Sequence, residues 1–167
     1  RYSPCGITSF IPDTIGALIK KCNVPVVCVL HRGNHLNSPF WNFRKKRRVP
    51  VHTTIKLTLT KDDIQKLTSV EINTIIKNAL TYDEYKYQKD SGILIKEKYR
   101  AEGLHRILYK CPNCGSEHDM ESSGTVLLCN NCNKKWNLEE DGSLKSLDGK
   151  TEYSHIPDWF NWERSEV

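Results

Sequence analysis

Apolar positions recur along the chain with two periods. Ile15, Leu18, Ile19 and Cys22 fall at i, i+3, i+4 and i+7, one face of an amphipathic helix. Asp13, after Pro12, is placed to cap its start, and Asn23 to stop it. Pro25 then opens Val26-Val27-Cys28-Val29-Leu30, an unbroken and largely β-branched run. Such a run predicts a strand buried on both faces, as in a parallel sheet, and helix followed by buried strand is half of an α/β repeat. From Val51 the period becomes two. Val51, Thr53, Ile55, Leu57 and Leu59 alternate with His52, Thr54, Lys56 and Thr58, which predicts a half-exposed strand at or near a sheet edge. Thr60 and Asp63 have capping-box spacing and start a short helix to about Leu67. Ser69 is placed to cap a longer helix, whose apolar face is Ile72, Ile75, Ile76, Ala79 and Leu80. The pattern loosens through residues 82–87 and stops at Gly92. Residues 31 to about 50 read as loop, and residues 93–110 as a mixed connector.

Beyond this point the chain is organised by cysteine. Cys111-Pro112-Asn113-Cys114 and Cys129-Asn130-Asn131-Cys132 form two C-x2-C pairs separated by fourteen residues, the layout of a structural zinc site. Two residues between cysteines let a tight turn aim both sulfurs at one ion, and two such turns supply a tetrahedron of thiolates. Gly115 follows the first pair where the turn calls for positive φ. Val126-Leu127-Leu128 leads into the second pair as a short strand. The expected cofactor is therefore Zn2+ on Cys111, Cys114, Cys129 and Cys132. The same cysteines also admit two disulfides or a rubredoxin-like iron site. Against disulfides, Cys5, Cys22 and Cys28 are scattered and would be left odd, which suits a reducing compartment such as the cytoplasm. His118 lies between the pairs and reads as a surface residue. After the ribbon, Trp159, Phe160 and Trp162 are too dense an aromatic set for a free tail, so the tail is expected to dock.

Composition changes this picture little. The chain has 167 residues, 27% charged and 38% hydrophobic, ordinary for a globular protein. No apolar run reaches the roughly 18 residues a membrane span needs. The only Met is Met120, Arg1 is not an initiator, and no signal peptide is visible, so a fragment or processed chain is expected. The formal net charge is +5; four thiolates and one dication contribute −2, bringing it to about +3. That makes nucleic acid a weak candidate partner. Arg44-Lys45-Lys46-Arg47-Arg48 nevertheless places five cations in succession, just after Phe40, Trp41 and Phe43. Aromatics beside cations suit contact with an anionic membrane face, or equally a solvated loop pinned by its aromatics. Asn34-His35 has no carboxylate five residues beyond His35, where Phe40 stands, so His35 reads as structural. His31 and Arg32 follow the buried strand, where α/β folds place ligands.

Arg1-Tyr2-Ser3-Pro4-x-Gly6, then a helix, then Val24-Pro25-Val26-Val27-Cys28-Val29 resembles the second half of the phospholipid/glycerol acyltransferase domain, the family of the 1-acylglycerol-3-phosphate acyltransferases. Gly33-Asn34-His35-Leu36-Asn37-Ser38-Pro39-Phe40-Trp41 is similar to the continuation of a bacterial branch in which a zinc ribbon follows that domain. The resemblance covers roughly residues 1–105. It implies residues 1–105 as the distal half of an α/β acyltransferase-like domain; the cysteine pairs mark 106–147 as a small β-rich zinc ribbon, its companion in that branch, and the aromatic set marks 148–167 as a docked tail. It also implies that the parent protein moves an acyl chain from a thioester, on CoA or acyl carrier protein, to a glycerol-phosphate or lysophospholipid hydroxyl. The family's Asn-His-x4-Asp, whose His is general base, is absent, so this chain by itself is expected to be inactive. Arg1 is the one candidate for pairing with the acceptor's phosphate, a task suited to a guanidinium. Two alternatives stand beside this: a zinc-ribbon binding module whose basic loop contacts nucleic acid or anionic membrane, and an inactive acyltransferase-like scaffold. A truncated α/β domain is also expected to expose apolar surface and to self-associate.

Overall fold

The computed structural model describes residues 3–167, and Arg1 lies outside them. Helix α1 (Ile15–Cys22) ends as expected at Asn23, in the left-handed conformation with φ 48°. Its start differs. Thr14 is the N-cap and makes no side-chain cap bond. The orphan Gly16 N–H donates instead to the Asn73 side-chain oxygen at 2.6 Å, and the Asn73 amide donates to the Asp13 carbonyl. The cap comes from another helix, out of reach of local pattern.

Strand β1 (Val26–Arg32) pairs with β2 (His52–Leu59), and the pairing is antiparallel, not parallel. The connection explains this. Between the two strands the chain makes only helix α2 (Asn34–Asn37) and a 3-10 turn (Phe40–Asn42), and neither is long enough to carry the chain back along the sheet as the crossover helix of a parallel pair does. Nor is β1 buried on both faces. Val26, Cys28 and Leu59 pack against α1 and α4, while Val27, Val29, Ile55 and Leu57 are 46–70% exposed on the other face. An apolar run cannot report whether a second layer exists to cover it.

The two capping boxes follow their sequence logic. Helix α3 (Lys61–Lys66) is capped by Thr60 and Asp63. Helix α4 (Ser69–Leu80) is capped by Thr68 with Glu71, one residue before the expected Ser69. Helix α5 (Glu84–Asp90) occupies the stretch where periodicity loosened; Asp83 starts it by accepting the Tyr85 and Lys86 N–H groups, both at 2.9 Å.

Residues 93–110 are more than a connector, because Ala101, Leu104 and Leu108 are fully buried. They lead into an antiparallel meander in the order β3 (Met120–Ser123), β4 (Val126–Cys129), β5 (Lys135–Leu138), β6 (Leu144–Ser146). Helix α6 (Ile156–Ser165) packs on this sheet through Trp159, whose ring meets Trp136 edge-on at 5.0 Å. One large core runs from Cys5, Leu36 and Trp41 through Tyr85 and Leu108 to Trp136 and Trp159. A second, small core of Leu59, Ile64, Ile72 and Ile76 lies under β1 and β2. Among the described residues, no helix is long and apolar enough to cross a membrane.

The basic run does not present five cations. Arg47 turns inward, 3% exposed, with its guanidinium 4.7 Å from the Trp41 ring centre and an N–H donating to the Arg100 carbonyl at 2.5 Å. Stacking on an aromatic face while donating to a carbonyl keeps a buried guanidinium tolerable. Trp41 and Arg47 thus anchor the loop from which Arg44, Lys45, Lys46 and Arg48 project.

Candidate metal centre and groove

The ligand atoms of Cys111, Cys114, Cys129 and Cys132 lie within 4.8 Å of one another, positioned to hold a metal ion. The Cys111–Cys132 and Cys114–Cys129 sulfurs are each 3.7 Å apart, far beyond a disulfide bond of about 2.05 Å. A tetrahedron with metal–sulfur bonds of about 2.3 Å has edges of about 3.8 Å, so the spacing and the soft donor set both fit one ion.

Two knuckles build this site with the same local geometry. In the first, the Gly115 N–H donates to the Cys111 carbonyl at 2.9 Å; in the second, the Asn133 N–H donates to the Cys129 carbonyl at 2.8 Å. Gly115 and Asn133 occupy equivalent positions with φ 75° and 62°, where an L side chain is disfavoured and Asn is the best tolerated substitute for Gly. Each knuckle also supports the other. The Asn113 amide donates toward the Cys132 sulfur at 3.5 Å, and the Asn131 amide toward the Cys114 sulfur at 3.6 Å. At Cys114 the Asn131 donor favours thiolate over thiol. The repeated Asn before the second Cys of each pair was the sequence signal for this role.

Burial pushes the Cys111 and Cys129 thiols up. At Cys114 burial acts in the same direction, but the Ser116 N–H and the Asn131 amide outweigh it and bring the thiol down to about 7. Four adjacent thiolates repel, and a cation at their centre removes that repulsion. His118 is exposed and stacked on Tyr109 at 5.3 Å, outside the cluster.

Helix α6 holds the entrance of the first knuckle. The Trp159 indole N–H donates to the Lys110 carbonyl at 3.0 Å, and Glu163 accepts the Lys110 N–H at 2.9 Å. Two side chains one helical turn apart therefore satisfy both backbone groups of the residue preceding Cys111, replacing a strand neighbour. Burial raises the Glu163 carboxyl to about 7. Neither contact is legible from local sequence.

A groove of about 450 Å³ lies apart from the cysteines, lined among others by Ser3, Gly6, Phe10, His31, His35 and Phe40. Its floor is a knot around Glu84. That carboxylate accepts the Gly33 N–H at 2.9 Å and the His35 N–H at 3.2 Å, while the Glu84 N–H donates to the Gly6 carbonyl at 2.9 Å. Gly6 has φ 78°, and a Cβ there would come within 2.9 Å of the His35 ring. Burial pushes His35 down to about 4, helped by the nearby Arg47 charge, so at neutral pH it is an uncharged packing residue. His31, next to last in β1, lies beside Thr53, 2.8 Å from its hydroxyl, and the Arg32 guanidinium lies 5.9 Å from the Tyr82 ring. No family model, curated protein or solved structure matches the chain.

Proposed function

We propose that this chain is the distal half of a glycerolipid acyltransferase domain joined to a structural zinc ribbon. One observation carries this. The stretches that resemble the family are far apart in sequence, yet Ser3 and Gly6 from one meet Asn34, His35 and Ser38 from the other around a single groove. Leu30 and Phe40 give that groove apolar walls fit for an acyl chain or its thioester. The uncovered apolar face of β1 and β2 fits a sheet that other elements cover in the parent protein.

In the reaction, the acceptor hydroxyl oxygen attacks the thioester carbonyl. A C–O bond forms, the C–S bond breaks, and a general base carries the hydroxyl proton to the departing thiolate. His35 is not that base: desolvation and the nearby Arg47 charge leave its imidazole too weakly basic, and it has no carboxylate partner. This chain therefore contributes the wall of the groove and not the proton transfer, and Arg1 remains the candidate for the acceptor's phosphate.

The metal we assign is Zn2+, as a structural ion: four sulfur donors close its shell and leave no open position for a substrate. Bound there, it supplies folding energy to a segment with short strands. Elemental analysis of purified protein should give one equivalent of zinc. Iron in its place, or a folded ribbon with far less than one equivalent of metal, would overturn the assignment. Cys5, Cys22 and Cys28 form no disulfide among the described residues, which supports a reducing compartment, the cytoplasm.

The function is tested by expressing the chain together with the polypeptide its gene encodes upstream. Transfer from acyl-CoA or acyl carrier protein to glycerol 3-phosphate and to 1-acylglycerol 3-phosphate should appear with the longer polypeptide and be absent from the 167-residue chain. Turnover by the short chain itself, or an upstream sequence without Asn-His-x4-Asp, would sink the proposal.

A further inference from the structure

Phe40 and Phe43 are 54% and 60% exposed, although Trp41 between them is fully buried. The 3-10 turn Phe40–Asn42, which continues in a helical conformation at Phe43, explains how. With three residues per turn, positions i and i+3 share one side, so the turn drives Trp41 into the core and leaves the two Phe rings together outside. The cations after them divide in the same way. Arg47 is buried against Trp41, and Lys45 pairs with Glu102 at 2.5 Å. Arg44, Lys46 and Arg48 are exposed and, among the described residues, make no salt bridge. The loop is fixed from beneath: the Tyr99 hydroxyl donates to the Lys46 carbonyl at 2.7 Å, and the Arg48 N–H donates to Glu97 at 2.9 Å. The exposed apolar surface extends past Phe40, which lines the groove together with Phe10, itself 75% exposed.

We propose that residues 40–48 dock the protein on an anionic lipid surface, with Phe40 and Phe43 entering the boundary between headgroups and acyl chains and Arg44, Lys46 and Arg48 pairing with lipid phosphates. Charge complementarity selects this occupant. Two exposed aromatic rings on one side of a turn, followed by three exposed cations that make no salt bridge among the described residues, match a surface that is apolar below and negative above. Nucleic acid fits less well, because the chain's net charge of +5 is small and the apolar surface continues toward Phe10 rather than into a basic track. Docked in this way, the groove mouth faces the bilayer, so an amphiphilic acceptor enters it directly from the lipid; this consequence rests on the acyl-transfer proposal, the docking itself does not.

The test is co-sedimentation of the 167-residue chain with vesicles of phosphatidylcholine alone and of an equimolar mix with phosphatidylglycerol, so no turnover enters the readout. Partition should require phosphatidylglycerol. R44Q/K46Q/R48Q should weaken it on the order of 100-fold, about fivefold per cation. F40S/F43S should weaken it at least tenfold, as a rough figure. K61Q/K145Q/K150Q removes the same charge from other exposed positions and should change little. All variants should keep the metal content and tryptophan fluorescence of the parent, since every substituted side chain is exposed. Equal partition onto neutral vesicles, an equal loss in the control triple variant, or no loss in F40S/F43S would overturn the proposal. So would single-stranded RNA that binds through Arg44, Lys46 and Arg48 while vesicles do not. Vesicle binding without acyl transfer by the longer polypeptide would leave the docking standing and remove the function; transfer without vesicle binding would do the reverse.

Discussion

Two antiparallel sheets in this molecule invert the usual expectation about strand length. Strands β1 and β2 have seven and eight residues, rich in Val, Ile, Leu and Thr. Strands β3 to β6 have three or four residues each. Yet the short strands hold the buried core: Leu127, Trp136, Leu138 and Leu144 are at most 2% exposed, whereas the long ribbon leaves one whole face in solvent. The difference is in what crosses the strands. The meander is clamped by two cysteine knuckles at one end and covered by the Trp-bearing face of α6. The ribbon has only the small core shared with α1, α3 and α4 beneath it. β-Propensity describes fit to a half-buried surface and does not itself create the burial.

Removing the metal should break this comparison most completely. Structural zinc in small thiolate sites is worth roughly 10–16 kcal/mol at neutral pH, comparable with the whole stability of a domain, about 5–15 kcal/mol. A chelator, or Cys111→Ser, should therefore unfold the meander and release α6, read as a red shift of tryptophan emission. The helices α3 and α4, on their separate small core, should keep more of their amide-exchange protection.

Next in size is Trp159→Ala. It empties a fully buried site, removes the contact with Trp136 and leaves the Lys110 carbonyl without its donor. A loss of about 3–5 kcal/mol in chemical denaturation is expected. A loss below 1 kcal/mol, as an order of magnitude, would show that the meander does not depend on α6.

Acid should find His35. Its folded pKa is depressed to about 4 from an ordinary 6.5, so the folded state holds it uncharged. The stability this group contributes is complete above pH 6.5 and is lost as pH falls through about 4, on the order of 3 kcal/mol in total. His35→Phe should flatten that part of the stability–pH curve. His155 runs oppositely. The hydrogen bond to Asp83 at 3.0 Å leads the causes that raise its pKa above 6.5, so its contribution is full below pH 6.5 and fades as pH rises through the raised value.

Smaller still is the left-handed turn of the second knuckle. Asn133→Ala should cost about 1 kcal/mol, and Asn133→Gly should be neutral or slightly stabilising. At the bottom of the scale, Ile55→Ala on the open face should change stability by less than about 0.5 kcal/mol, against roughly 2–5 kcal/mol for Leu127→Ala in the meander. A large effect at Ile55 would mean that the ribbon's outer face is covered in solution.

Much of the fold was legible locally. Helical spacing found α1 and α4, a capping box found α3, and alternation found β2, because each of these depends on residues within one or two turns. The cysteine spacing located all four residues of the metal centre for the same reason. The docking of the aromatic tail was legible from its density of rings, but the inferences that depended on which particular element lies opposite failed. Val26 to Leu30 is apolar enough for a strand buried on both sides, and only the absence of a covering layer makes it an open ribbon. Arg47 looked like one of five surface cations until Trp41 and Arg100 received it. Asp83 and the loosely patterned residues after it form α5 because the surrounding core holds them.

The amino acids alone determined the local elements, the two knuckles and their soft donors, since these follow from dihedral preference, period and ligand chemistry over a few residues. Tertiary structure alone decided that Trp159 and Glu163 grip Lys110, that Glu84 ties Gly6 to Gly33 and His35, and that Phe40 and Phe43 remain outside while Trp41 goes in. Those outcomes depend on which distant polar groups and apolar faces come within reach, and hydrogen bonds and burial are settled by distance in space rather than along the chain.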